Sequence, residues 1–222
     1  MEARAGRQEV QEEVFGGATA RMIEATQEKA STAIADPAPL GLAGFALTTF
    51  VLSFFNAGLV SDKGVPIVLA LALFYGGLAQ FLAGMWEFRK GNAFGAVAFA
   101  SYGAFWLSFW VFEQFLAKDV PTANLGDAVG LYLISWGIFT TLMWIASFRV
   151  AVGVNVVLLL LAVTYFLLGI GNANGDLAGQ GLVKAGGYVG IATAIAAWYV
   201  AFAIVINFTF GRTILPVVPI GD

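Results

Sequence analysis

The chain has 222 residues, of which 59% are hydrophobic and 11% charged, with a formal net charge of −3. Soluble domains carry about 25% charged residues, so this composition falls outside the soluble class, and its acidic balance excludes a nucleic-acid partner, which needs clustered Lys and Arg. Cys and His are both missing, which rules out disulfides and thiolate metal sites and removes the commonest proton shuttle and metal ligand.

The Met1 end is polar rather than a basic stretch followed by an apolar one, so no signal peptide is expected. Residues 1–36 form a charged segment in which Val10, Val14, Ala18 and Met22 recur at helical spacing. A partly helical cytoplasmic extension is predicted there. Its acids outnumber its bases, which works against docking on anionic lipid.

A new regime starts at Asp36-Pro37-Ala38-Pro39. Asp at an N-cap with Pro at the first helical position is a strong helix start. About 20 apolar residues span a bilayer, and six such stretches follow, at 38–60, 65–88, 93–116, 128–148, 151–171 and 185–210. The predicted fold is an all-α integral membrane protein with six transmembrane helices around a central pore, covering residues 37–216, with 217–222 as a C-terminal tail. Gly76, Gly77, Gly84, Gly95, Gly103, Gly186 and Gly190 fall within the spans, where small residues let helix backbones approach closely.

Lys and Arg placement sets orientation. The N-tail, second loop, fourth loop and C-tail hold Arg4, Arg7, Arg21, Lys29, Arg89, Lys90, Arg149 and Arg212, whereas the other loops hold Lys63, Lys118 and Lys184. Both termini are therefore expected in the cytoplasm, with the protein multi-pass in the cell membrane.

Charge inside the spans is nearly missing. Glu87 ends the second span and Glu113 nears the end of the third. A buried carboxylate relay for strict antiport is hard to build from this set, and haem or another cofactor would lack ligands. Neutral polar residues remain, and their hydroxyls and amides can donate to a carboxylate without placing charge in the wall. The pore-lining candidates are Thr48, Asn56, Gln80, Ser101, Thr140, Asn155, Thr164 and Asn207. Thr49, Ser53, Tyr102, Ser108, Ser135, Thr141 and Thr193 belong to the same mid-span polar set.

Three blocks carry a resemblance. Residues 36–42 read D-P-A-P-L-G-L, residues 74–103 read F-Y-G-G-L-A-Q-F-L-A-G-M-W-E-F-R-K-G-N-A-F-G-A-V-A-F-A-S-Y-G, and residues 210–216 read F-G-R-T-I-L-P. These resemble the acetate uptake transporter family, also called the acetate/succinate permeases. The resemblance implies a channel or transporter, not an enzyme, for acetate and related short carboxylates such as succinate. It also implies a homo-hexamer in which each protomer holds its own pore. A narrow hydrophobic constriction of a Phe, a Tyr and a Leu is implied too. By position these are Phe45, Tyr102 and, by a looser alignment, Leu161. The alternative is a pore for a neutral solute such as ammonia or undissociated acetic acid. The family motif opens with Asn where this chain has Asp36. Asp36 is then either a charge at the pore mouth or a cap on the first helix.

Overall fold

The computed structural model describes residues 34–218. The helix expected through Val10, Val14, Ala18 and Met22 lies outside the described residues. Among the described residues, six helices are long and apolar enough to cross a membrane. Helix α1 is Ala38–Asn56. Helix α2 joins Pro66–Leu73, a π-helical turn at Phe74–Ala79 and Gln80–Lys90. Helix α3 is Ala93–Val111, extended by a π-helical turn at Phe112–Leu116. Helices α4, α5 and α6 are Thr122–Ala146, Val152–Ala173 and Gly181–Phe210.

Hydropathy locates the six spans, and local chemistry moves three of their ends. Helix α1 stops at Asn56 although Leu59 and Val60 are apolar, because Gly58 takes φ +71° and Leu59 N donates back to Phe54 O at 3.0 Å. That is a glycine helix stop. Helix α4 begins six residues before the apolar stretch does. Pro121 is extended, the helix starts directly after it, and Asn124 N donates to Pro121 O at 2.8 Å. Helix α6 also begins early, its first turn held by Asp176 Oδ2, which accepts from Leu182 N at 2.7 Å.

Packing runs through small residues. The extensive helix pairs are α1–α6, α4–α5, α5–α6 and α2–α3, with α1 also against α2. At the α2–α3 seam a Cβ added to Gly103 would lie 2.6 Å from Phe81 N and 2.8 Å from its Cα, and one on Gly84 would strike the backbone of Ala100. At the α1–α6 seam Gly187 lies against Ala57 in the same way, its added Cβ 2.7 Å from the Ala57 Cα. Close approach of this kind replaces the hydrophobic driving force that lipid does not supply.

Helices α3 and α4 meet instead through large side chains, which closes the ring. Phe105 stacks on Tyr132 with centroids 5.7 Å apart and meets Trp136 edge-on at 5.3 Å. The outer surface is apolar: Phe74 is 64% exposed on α2, and Leu131 and Leu142 are 69% and 62% exposed on α4. A helix satisfies its interior backbone groups itself, so such a surface suits hydrocarbon.

Candidate functional site: two vestibules sharing one neck

Two cavities lie inside the ring. The first, of about 420 Å³, reaches the end that carries Asn56, Glu113 and Asn172. The second, of about 220 Å³, reaches the opposite end, marked by Asp36, Lys90 and Val217. Phe45 and Leu161 line both. Tyr102 lines the second, its ring 6.1 Å from that of Phe45. All three are almost wholly buried, at 4%, 4% and 3% exposure. The Tyr102 hydroxyl is already engaged, donating to Thr140 Oγ1 at 3.0 Å.

The polar candidates divide by direction. Asn56 and Thr164 line the first cavity and Gln80 the second. Thr164 also donates to Leu160 O at 2.8 Å, the usual way a hydroxyl is satisfied on a lipid-embedded helix. Thr48, Ser101, Thr140, Asn155 and Asn207 line neither cavity. Thr48 donates to Gly44 O at 2.9 Å and packs on Gly76. Thr140 is the partner of Tyr102. Asn155 ties α5 to α4, donating to Ser147 Oγ at 2.8 Å and accepting from Trp144 Nε1 at 3.3 Å.

Asn207 has a different task. Its Oδ1 accepts from Ile214 N at 2.7 Å and Leu215 N at 3.0 Å, and its Nδ2 donates to Leu215 O at 2.7 Å. Tyr199 donates to Pro216 O at 2.9 Å, and Val152 N donates to Val218 O at 2.9 Å. The segment after α6 is thus strapped back to the bundle, with Val217 in the wall of the second cavity. Asn207→Ala leaves two amides without acceptors. Hydrogen exchange at Ile214 and Leu215 should then quicken at least about tenfold, the scale of losing such bonds. Unchanged protection would show that Asn207 does not hold the strap.

One lining group stands outside the sequence candidates, Trp106, and it is joined by Thr49 of the mid-span polar set. Thr49 and Trp106 line the first cavity, and Thr49 Oγ1 and Trp106 Nε1 are buried with no hydrogen-bond partner among the described residues. Both can donate to an oxygen anion. Gln80 lines the second cavity, and its Oε1, an acceptor, is buried with no partner among the described residues. Trp106 was readable in principle: Tyr102, Phe105, Trp106 and Phe109 follow the i, i+3, i+4, i+7 pattern of one helix face.

Asp36 stands at the start of α1 and in the wall of the second cavity. The helix assignment starts at Ala38, but Pro37 already has helical φ −79° and ψ −15°, and Pro37 O accepts from Gly41 N at 3.2 Å. Asp36 Oδ1 accepts from Ala38 N at 3.1 Å, so the carboxylate caps the helix. The same oxygen meets Lys90 Nζ at 2.8 Å, and both residues line the second cavity.

A ring of membrane-length helices around two largely apolar cavities defines a multi-pass membrane protein. The chain belongs to the GPR1/FUN34/yaaH family, whose model matches residues 15–221. It is 40% identical over 190 residues to the succinate-acetate/proton symporter SatP of Escherichia coli K12, covering 84% of this chain and 97% of that protein. It is 42% identical over 177 residues to ammonia transport outward protein 2 of Saccharomyces cerevisiae, covering 76% of this chain and 61% of that longer protein. Its fold is similar to a solved structure described as the bacterial acetate channel SatP. That match has a TM-score of 0.74 at 39% identity, covering 83% of this chain and 99% of the other.

Proposed function

We propose that this protein carries acetate and related short carboxylates, succinate among them, across the cell membrane. It is a transport protein rather than an enzyme. The observation that carries the reading is the pair of cavities sharing Phe45 and Leu161, in a chain 39% identical to an acetate channel over nearly that channel's whole length. In this reading Phe45, Tyr102 and Leu161 form a hydrophobic constriction. Thr49, Trp106 and Gln80 offer polar contacts on either side of it. Radiolabelled acetate uptake into proteoliposomes, corrected for protein-free vesicles, tests the proposal, and uptake no faster than in those vesicles would sink it. A second reading is a pore for a neutral solute such as ammonia or undissociated acetic acid, favoured by the apolar walls and by the name of the yeast relative. Comparing acetate and ammonia flux across pH separates the two.

Both termini are proposed to be cytoplasmic, which puts the Lys90 end of the bundle inside. Because the native chain has no Cys, single cysteines can be introduced cleanly. A cysteine at Lys63 or Lys118 should react with an impermeant reagent from outside, and one at Arg149 should not; the reverse pattern overturns the orientation.

The apolar outer faces of α2 and α4 are proposed to meet neighbouring copies in a hexamer, each copy keeping its own path. Native mass spectrometry in mild detergent should show six chains, and a monomer that still transports would refute any need for assembly.

A further inference from the structure

Formal charge is scarce along the path. Among the residues that line the two cavities, Glu113 is the one charge in the first, and Asp36 and Lys90 are the charges in the second. Among the described residues that line either vestibule, Lys90 is therefore the single cation available to an anion. It stands on the last turn of α2, and its ammonium is held at 2.8 Å by the carboxylate of Asp36, with side chains 39% and 41% exposed. Chemically, the Asp36 head group is an acetate tethered to the backbone.

We infer that Lys90 is a docking site for the carboxylate of the cargo at the mouth of the second cavity, and that Asp36 is its built-in competitor. The inference rests on the reading that the chain moves short carboxylates. The ammonium has three donors on a flexible stem, so it can release one carboxylate as it takes another. The exchange is cheap because an exposed pair in high dielectric is weak. Once docked, a carboxylate has its methyl or methylene group facing Ala38, Leu42 and Phe94, the apolar wall next to the ion pair. The neighbouring Asn92 amide oxygen is engaged, accepting from Gly95 N at 3.2 Å, so it does not compete for the ammonium. Glu87, wholly buried one turn earlier on α2, lines neither cavity.

Asp36 also shapes selectivity. A monocarboxylate that displaces it meets one retained negative charge nearby, whereas a dicarboxylate brings a second charge into the same field. With Asp in place of the Asn of the family motif, the mouth is biased toward the smaller, singly charged cargo and its affinity is lowered for both.

The test uses the full chain in proteoliposomes, with initial rates of acetate and succinate uptake measured against concentration at neutral pH. Asp36→Asn keeps a capping oxygen and frees Lys90. It should lower the apparent KM for acetate about two- to fivefold, the size of an exposed ion pair, and lower that for succinate further. Lys90→Gln should raise both by about tenfold, as loss of a charge-assisted contact does, and Lys90→Arg should restore values near wild type. A purely structural pair would instead shift the unfolding temperature and leave KM where it was. If KM is unmoved in Asp36→Asn, Lys90 is not the docking group. That variant keeps its cap and decides the question even if Lys90→Gln fails to fold. Wild-type protein that moves no acetate removes the functional reading and this inference together, whereas normal flux with unmoved KM removes only the inference.

Discussion

Truncating Phe45 or Leu161 to alanine should raise carboxylate flux and admit larger cargo, with succinate gaining on acetate by about tenfold, the discrimination an apolar pocket loses when a side chain is removed. A hydrophobic neck blocks hydrated ions by dewetting, and the barrier depends on how much side chain fills the gap. Phe45 and Leu161 line both vestibules, so shortening either one joins two cavities of about 420 and 220 Å³. Burial makes the substitutions costly to stability, about 3–5 kcal/mol for a core Phe→Ala. Phe45→Leu is therefore the companion variant, expected to shift selectivity the same way by a smaller amount. Tyr102→Phe serves as the contrast. It keeps the ring beside Phe45 and removes a hydroxyl already bound to Thr140, so size selectivity should stay as in wild type and succinate should not gain. Folded Phe45→Ala and Leu161→Ala proteins with wild-type flux and size selectivity would locate the constriction elsewhere.

Gly103→Val or Gly84→Val should cost the protein its α2–α3 seam. The added Cβ at Gly103 meets Phe81 N at 2.6 Å and at Gly84 meets Ala100 Cα at 2.9 Å, and neither backbone can move without carrying its helix along. Overpacking typically costs about 1–3 kcal/mol. Two backbones forced apart with a branched side chain between them should reach or exceed the top of that range. The expected readout is a large drop in unfolding temperature in detergent, or loss of the monodisperse protein. Gly137→Ala is the control: the atoms nearest its added Cβ are those of the Phe166 ring edge, at 3.0 Å and beyond, and a ring can tilt. Equal loss in all three variants would show that close backbone approach is not what these glycines supply.

Hydropathy alone gave the number and order of the spans, because each must satisfy its backbone internally and present about 20 apolar residues to lipid. It could not give the ends. Gly58 stops α1 ahead of two apolar residues, and Pro121 starts α4 within a polar run. The family resemblance pointed to Phe45 and Tyr102 by motif position and to Leu161 by a looser alignment. For the neutral polar residues, sequence named the set without saying which way each one faces. Thr48 and Thr49 are adjacent and chemically identical, but one packs on Gly76 while the other stands in the wall of the first cavity, its hydroxyl buried without a partner among the described residues. About 100° of helix rotation separates their roles. Asn207 looked like a membrane-embedded amide and instead holds the chain that follows it.

The π-helical turn at Phe74–Ala79 sets the phase of everything before it on α2. A π turn contains one more residue than the α turn it replaces, so the faces of the two halves are out of step. Before it, Val68 and Ala72 are wholly buried while neighbouring Ile67 is 60% exposed. After it, Gln80, Ala83, Gly84 and Glu87 face inward. A homologue lacking one residue here would lose no helix; it would regain ordinary winding and turn its 66–73 segment by about 100° about the axis. The inward side of that segment would pass to a different set of residues. One-residue length differences between relatives at this turn therefore act as rotations of the outer half-helix, and alignments through it have to be read by angle rather than by position.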